Sequence, residues 1–390
     1  MQKPREAGST LAIFLLFLRL GLTSFGGPVA HLGFFYDEFV KRRQWVTEQA
    51  YAEVVALCQM LPGPASSQVG LTVGYLRGGY PGAAAAWVGF TLPSALIMAL
   101  FASGMVLWPE AGSGGWVTGL KLFVVAVVAQ AVWQMGTKLC PDRPRRTIAV
   151  LVAAALLVAG SVWIQALALV VAGITGAWLG LPSDKAGGAL DIPVRTRKPM
   201  VFFSLFLGLL LLTFLPWGAG AHTAIAAELY RAGALVFGGG HVVLPWLEES
   251  FVASGAIPAD TFLAGYGVAQ AMPGPLFSFS AFLGGVEQGW SGAAVGVAAV
   301  FLPGALLVFA GLPLWQYVRN HAGARSALAG VNAGVVGLLL SALYDPVWTS
   351  GVVSPASVGF VLLVWAALSL WQVPVWLLAF LSGLVGFWLF

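Results

Sequence analysis

The sequence predicts an all-α polytopic membrane protein, an inverted-topology internal repeat with broken helices or re-entrant hairpins. Three observations predict it. The first is composition: of 390 residues, 59% are hydrophobic and 9% charged. Mean hydropathy is +0.88, and a soluble domain cannot hide that much apolar surface. The second is a duplication, one stretch running from Arg19 to about Leu96 and again from Arg231 to about Leu306. Each copy opens on Arg-x-Gly-x-x-x-Phe-Gly-Gly, with Arg19, Gly21, Phe25, Gly26 and Gly27 matched by Arg231, Gly233, Phe237, Gly238 and Gly239. Each then reaches Gln-x-x-Pro-Gly-Pro: Gln59, Pro62, Gly63 and Pro64, then Gln270, Pro273, Gly274 and Pro275. A serine follows three residues later (Ser67, Ser278), then Gly-aromatic-x-Gly-Ala from Gly79 and Gly289, and last Leu-Pro-x-Ala-Leu from Leu92 and Leu302. The spacing drifts only from 212 to 210 residues, and a repeat this long decides the fold before any local signal. The third observation is charge. Where the first copy has Lys41-Arg42-Arg43, the loop 248–260 has Glu248, Glu249 and Asp260, and Glu287 stands near the place of Arg77. The loop holding Arg319, His321 and Arg325 corresponds to one with Glu110 alone. Opposite Lys/Arg bias in equivalent loops turns the copies upside down relative to each other. Inverted repeats with interrupted helices mark secondary transporters.

The elements follow in order. Leu11–Phe25 is apolar but only about 15 residues, short of the ~20 that span the hydrocarbon; it reads as a first membrane segment and not as a cleavable signal. Gly26-Gly27-Pro28 breaks it, and Val29–Val40 returns to Lys41-Arg42-Arg43, so both ends fall on the cytoplasmic side. Val46–Met60 and Ala65–Leu76 meet at Pro62-Gly63-Pro64 and read as a half-crossing hairpin, with two full crossings as the alternative. Ala83–Trp108 can span, with a kink expected at Pro93. Trp116–Thr137, Thr147–Trp163 and Ile164–Leu181 complete an N-terminal transporter repeat over residues 1–181. A polar, basic, cytoplasmic linker covers 182–199 (Lys185, Arg195, Arg197, Lys198). A connecting transmembrane helix at 200–217 supplies the inversion, and the C-terminal inverted repeat fills 218–390. Its later spans are Gly292–Tyr317, Ser326–Leu343, Pro355–Leu370 and Val373–Phe390, which put the N-terminus in the cytoplasm and the C-terminus outside.

Several functions are excluded or poorly supported. A net charge of +4, confined to a few loops, gives no footprint for nucleic acid. Cys58 and Cys140 provide neither a disulfide framework nor metal-ligand spacing. There is no zincin His/Glu pair, no Gly-x-Ser-x-Gly elbow and no Walker A lysine. No catalytic residue, metal or cofactor is therefore expected, and an ATP-driven pump or membrane hydrolase lacks its motif.

The proline-glycine tips carry the chemistry. A helix that starts at membrane depth presents free amides, here Ala65 to Gln68 and Leu276 to Phe279, and its positive dipole end favours an anion. Ser66, Ser67, Gln68, Ser278 and Ser280 add side-chain donors, while Gly26-Gly27 and Gly238-Gly239-Gly240 allow close approach to the backbone. Donors without nearby carboxylates point to a small anion; the competing account is that the glycines only let helices cross closely. Arg19 and Arg231 are charges within apolar segments, at a cost of at least ~2.5 kcal/mol each. They fit either bidentate anion binding or structural pairs, Arg231 with Glu228 and Arg19 with Glu53. His31 and His241 each follow a glycine break. Glu53 and His31 are candidate carriers of a coupled proton, against a local packing role.

Phe25-Gly26-Gly27-Pro28 with His31, Trp45-Val46-Thr47-Glu48 and Gln59-Met60-Leu61-Pro62-Gly63-Pro64 resemble the chromate ion transporter family. The second copy, with Phe237-Gly238-Gly239-Gly240-His241 and Gln270-Ala271-Met272-Pro273-Gly274-Pro275, resembles its second domain, so the likeness covers both halves as in the long two-domain members. The resemblance implies a multi-pass protein of the cell inner (plasma) membrane that exports chromate and confers chromate resistance. It implies an ion gradient as the driving force, protons being one candidate, with sulfate as the natural competitor; a homodimer is one candidate assembly. Sulfate or other anion exchange and a passive anion channel stay open. The second copy lacks counterparts of Trp45 and of Lys41-Arg42-Arg43, so the copies need not bind alike.

Overall fold

The computed structural model describes residues 9–108, 114–159, 162–182, 199–215, 220–236 and 243–389, and there is no strand among them. The first copy begins with α1 (Thr10–Thr23) and breaks at Gly26 and Gly27, whose φ of +98° and +76° suit glycine. Helix α2 (Gly27–Tyr36) carries Pro28 in its first turn, where a missing amide costs nothing, and loosens into a π turn at Asp37–Arg42. Helix α3 (Glu48–Met60) starts on Thr47, whose hydroxyl accepts from the Ala50 amide. Pro62-Gly63-Pro64 ends it, and α4 (Ala65–Leu107) packs back against it. Then come α5 (Gly115–Leu139), α6 (Arg143–Val158), α7 (Val162–Trp178) and α8 (Pro199–Leu212). The second copy holds α9 (Ala221–Leu235), α10 (Val243–Glu248) with a π turn at Glu249–Ala253, α11 (Ala259–Ala271), a tight turn at Leu276–Ser278 and α12 (Phe279–Asn320). Helices α13 (Ala322–Ala342), α14 (Thr349–Gly351), α15 (Pro355–Ser369) and α16 (Val375–Leu389) close the chain.

Among the described residues, four stretches are long and apolar enough to cross a membrane: 65–107, 115–139, 276–313 and 322–351. With the shorter apolar helices α1, α7, α8, α15 and α16, they make this an all-α, multi-pass membrane protein. Helix α8 runs from Pro199 to Leu212, and residues 216 and 217 of the connecting helix expected at 200–217 lie outside the described residues. The bend of α4 lies at Gly78–Gly79 and not at Pro93: Gly79 has φ +64° and ψ −154°, angles open to glycine alone. Helix α12 repeats that bend at Gln288–Gly289, where Gly289 has φ +62° and ψ −150°. Each long helix thereby folds beside itself. A Cβ on Gly74 would stand 2.5 Å from the Gly82 carbonyl, and one on Gly284 2.1 Å from that of Gly292.

The halves share their cores. Met98, Ala99, Ala102 and Met105 of α4 are buried among second-copy side chains such as Phe282 and Leu263. The residues 210 positions on in α12, Val308, Phe309, Leu312 and Trp315, are buried among Phe17, Phe39 and Leu57 of the first copy. Close van der Waals packing across both joints holds the two copies as one body.

Candidate functional site

The same reciprocity organises the tips. Gly63 at the first tip donates its amide to the Val236 carbonyl, 2.7 Å away, on the residue before the second glycine break. Gly274 at the second tip donates to the Ser24 carbonyl at 3.0 Å, just before the first break. Each tip is therefore seated on the other copy. Gly63 lies over Gly304, and Gly274 over Ser94, which are the variable positions of the two Leu-Pro-x-Ala-Leu segments. Gln68 reaches across to donate to the Gly304 carbonyl (3.3 Å) and also to Pro62 (2.8 Å). Ser278 makes the matching contact, 2.6 Å from the Ser94 hydroxyl. By contact, then, Ser278 stands in the place of Gln68, one residue on from Ser67.

Around the first break, the Ser24 carbonyl also faces His31 Nε2 at 3.2 Å, and His31 Nδ1 lies 3.4 Å from the Ser66 hydroxyl. The His31 ring meets the Phe90 ring edge-on and is fully buried. The hydroxyls of Ser24, Ser67 and Thr91 and Oε1 of Gln68 are buried with no hydrogen-bond partner among the described residues, and a buried polar group left unmet costs ~1–3 kcal/mol. A cavity of about 610 Å³ opens beside this junction. Gly26, Gly27 and Gln270 line it, together with Gln130, Gln134 and Gln372. Gln372 sits at φ +52°, a strained backbone for a residue with a side chain, and Gln130 accepts from the Ser369 hydroxyl. No carboxylate, lysine or arginine is among the lining residues. Hydroxyls, side-chain amides and backbone N–H groups can bind an anion by hydrogen bonds alone.

The structure thus brings Gly26, Gly27 and Gln270 to one cavity, with Pro62, Gly63, Pro64, Ser66, Ser67, Gln68, Pro273, Gly274, Pro275, Ser278 and His31 in the buried junction around it. Part of the expected amide array is consumed locally. Gln68 N–H donates to Pro64, and Ser278 N–H to Pro275 in the tight turn. Gln59 is exposed. Gly238, Gly239 and His241 lie outside the described residues.

The two arginines do not line this cavity. Arg19 is exposed over a separate space of about 320 Å³ with Asp37, Glu38 and Arg42. Glu53, a candidate partner of Arg19 in the sequence, accepts from the Trp315 indole at 2.6 Å, deep between the halves. Arg231 pairs with Glu228, as the i−3 spacing suggests, and lies over the Phe214 ring; the Ser250 hydroxyl donates to the same carboxylate. Sequence reasoning missed Ser24, Thr91, Ser94, Gln130, Gln134 and Gln372. A glutamine pair at i,i+4 in an otherwise apolar helix was the available signal for two of them.

A family model described as chromate transporter matches residues 11–179 and 223–387. A chromate transport protein of Pseudomonas aeruginosa is 28% identical over 337 residues, 85% of this chain and 80% of that protein. One of Cupriavidus metallidurans is 28% identical over 338 residues, 85% of this chain and 81% of that protein. An uncharacterised transporter of Methanocaldococcus jannaschii is 26% identical over 349 residues, covering 86% and 84%. No solved structure matches the chain.

Proposed function

Because the chain belongs to the chromate transporter family, a family of transporters and not of enzymes, we propose that it exports chromate from the cytoplasm by secondary active transport and so confers chromate resistance. The observation that carries the reading is the junction of each tip with the opposite copy, beside a cavity whose polar lining side chains are the neutral amides of Gln130, Gln134, Gln270 and Gln372. Chromate is a tetrahedral dianion whose oxygens only accept hydrogen bonds. Neutral donors match it without holding it as tightly as a buried guanidinium, and transport requires release as well as capture. Reciprocal tips and opposite loop charges support copies inverted in the membrane, so that rocking one half on the other exposes a fixed site to each side in turn. The driving force is an ion gradient, with protons as the candidate ion.

Uptake of labelled chromate into everted vesicles tests this. Accumulation above the outside concentration is expected only with an imposed pH gradient, and excess sulfate should reduce it. Flux that equilibrates without accumulating would make the protein a passive channel.

The orientation can be read with introduced cysteines, because the native pair stays silent. Cys58 and Cys140 are buried, and burial pushes the Cys140 thiol up to about 11. Only the thiolate reacts, so at pH 7 about one Cys140 in ten thousand is competent, and background labelling should appear only as pH rises towards 11. Outside intact cells, an impermeant thiol reagent should label Ser254→Cys and spare Arg143→Cys. Labelling of both would sink the inverted arrangement.

A further inference from the structure

At the loop end of the first copy, two guanidinium groups lie over one indole. Arg77 is 5.3 Å from the Trp45 ring centroid and Arg43 is 5.7 Å away, while the same ring stacks on Phe39 at 5.2 Å. The arginines differ in what else they touch. Arg43 donates to Glu38 at 2.5 Å, and Arg42 holds the other oxygen of that carboxylate at 3.1 Å. Lys41 is taken by Asp37. Arg77 makes no ion pair among the described residues, and its Nε is buried with no acceptor. A guanidinium held by an aromatic face, with a buried donor unmet, is suited to an oxyanion.

The second copy shows that the fold does not require this group. The backbone bond from Trp45 N–H to Phe39 recurs as Ile257 N–H to Phe251, and the bend after Arg77 recurs after Glu287. The same backbone therefore puts Gly255, Ile257 and Glu287 where the first copy has Arg43, Trp45 and Arg77. Packing of a bent helix would not reverse the charge.

We propose that Arg77, with Arg43 over Trp45, is a loading site for a tetrahedral oxyanion, present on one face of the protein only. Arg77 donates to the anion's oxygens, the indole fixes the plane of the guanidinium, and Arg43 adds positive potential while bound to Glu38. At the equivalent place in the second copy, Glu287 repels a dianion. The loading site gathers substrate from the side that carries Lys41 to Arg43. This inference rests on the oxyanion-transport reading above.

Chromate absorbs across tryptophan emission, so bound chromate quenches a nearby indole. The part of the quenching that Trp45→Phe removes from the purified protein should saturate with chromate at constant ionic strength and be relieved by excess sulfate. Arg77→Gln should raise the midpoint about tenfold or more, as expected for a lost charge-assisted hydrogen bond. Arg77→Lys should fall between, which separates binding from misfolding, and Glu287→Gln should leave the midpoint unchanged. An Arg77→Gln midpoint equal to that of the wild type, or no saturable Trp45 signal, overturns the site. Wild-type vesicles without chromate flux but with saturable quenching would overturn the transport reading and leave the site standing.

Discussion

Chromate flux should fall to background in Gly63→Val and in Gly274→Val, while most of the protein still reaches the membrane folded. The tips hold φ of +113° and +97°, where a β-branched residue is strongly disfavoured. Space is also lacking. A Cβ on Gly63 would lie 3.2 Å from Gly304 Cα, and one on Gly274 would lie 2.8 Å from the Ser94 hydroxyl. To relieve either contact the tip must withdraw, breaking its bond to Val236 or Ser24 and parting the junction beside the cavity. The apolar cores extend along α4 and α12 well beyond the tips, so the bundle should survive. Ser94 occupies the position that Gly304 holds in the other copy, so Ser94→Gly should partly restore Gly274→Ala, leaving only the backbone strain. Near-normal flux in the valine variants would place the anion's path away from the tips.

The opposite outcome, loss of the protein itself, is expected for Gly21→Leu and Gly233→Leu. A Cβ on Gly21 would sit 2.6 Å from the Phe90 carbonyl oxygen, and one on Gly233 would sit 2.1 Å from that of Val300. Backbone oxygens of packed helices cannot step aside, so α1 must leave α4 and α9 must leave α12. Overpacking costs ~1–3 kcal/mol and more where nothing can yield, and lipid provides no hydrophobic force to press the helices together again. Melting temperature in detergent and membrane abundance should drop in both, further for Gly233→Leu. A wild-type melting curve for Gly233→Leu would show that these helices are not so closely packed.

The first break and both tips were legible because each is a local event with a residue signature. Pro-Gly-Pro ends a helix wherever it falls, and the Gly-aromatic-x-Gly-Ala segment proved to mark the bend, with Gly79 and Gly289 as the residues that take its angles. Arg231 with Glu228 was legible for the same reason, at a spacing of three residues. The interlock was not. Gly63 with Val236, Gln68 with Gly304 and Ser94 with Ser278 are separated by 170 to 240 residues or so, and periodicity carries no information at that range. The Leu-Pro-x-Ala-Leu segments were visible as a repeat, but only the folded chain shows that their variable residue faces the opposite tip. The contact of Glu53 was illegible on similar grounds: the indole N–H of Trp315 on α12 donates to it from 262 residues away.

The seating of each tip on the opposite copy also sets a timetable for biosynthesis. Val236, which receives the Gly63 amide, lies 173 residues after it. At ~5–20 residues per second that is about 9–35 s of translation, during which the first tip is without the acceptor it will finally use. The second tip waits for nothing, since Ser24 was made long before Gly274. The first half therefore spends its early life as an open receptacle. Its completion is an event of the second half's emergence, which makes the interval between the two the period when the nascent chain most needs shelter.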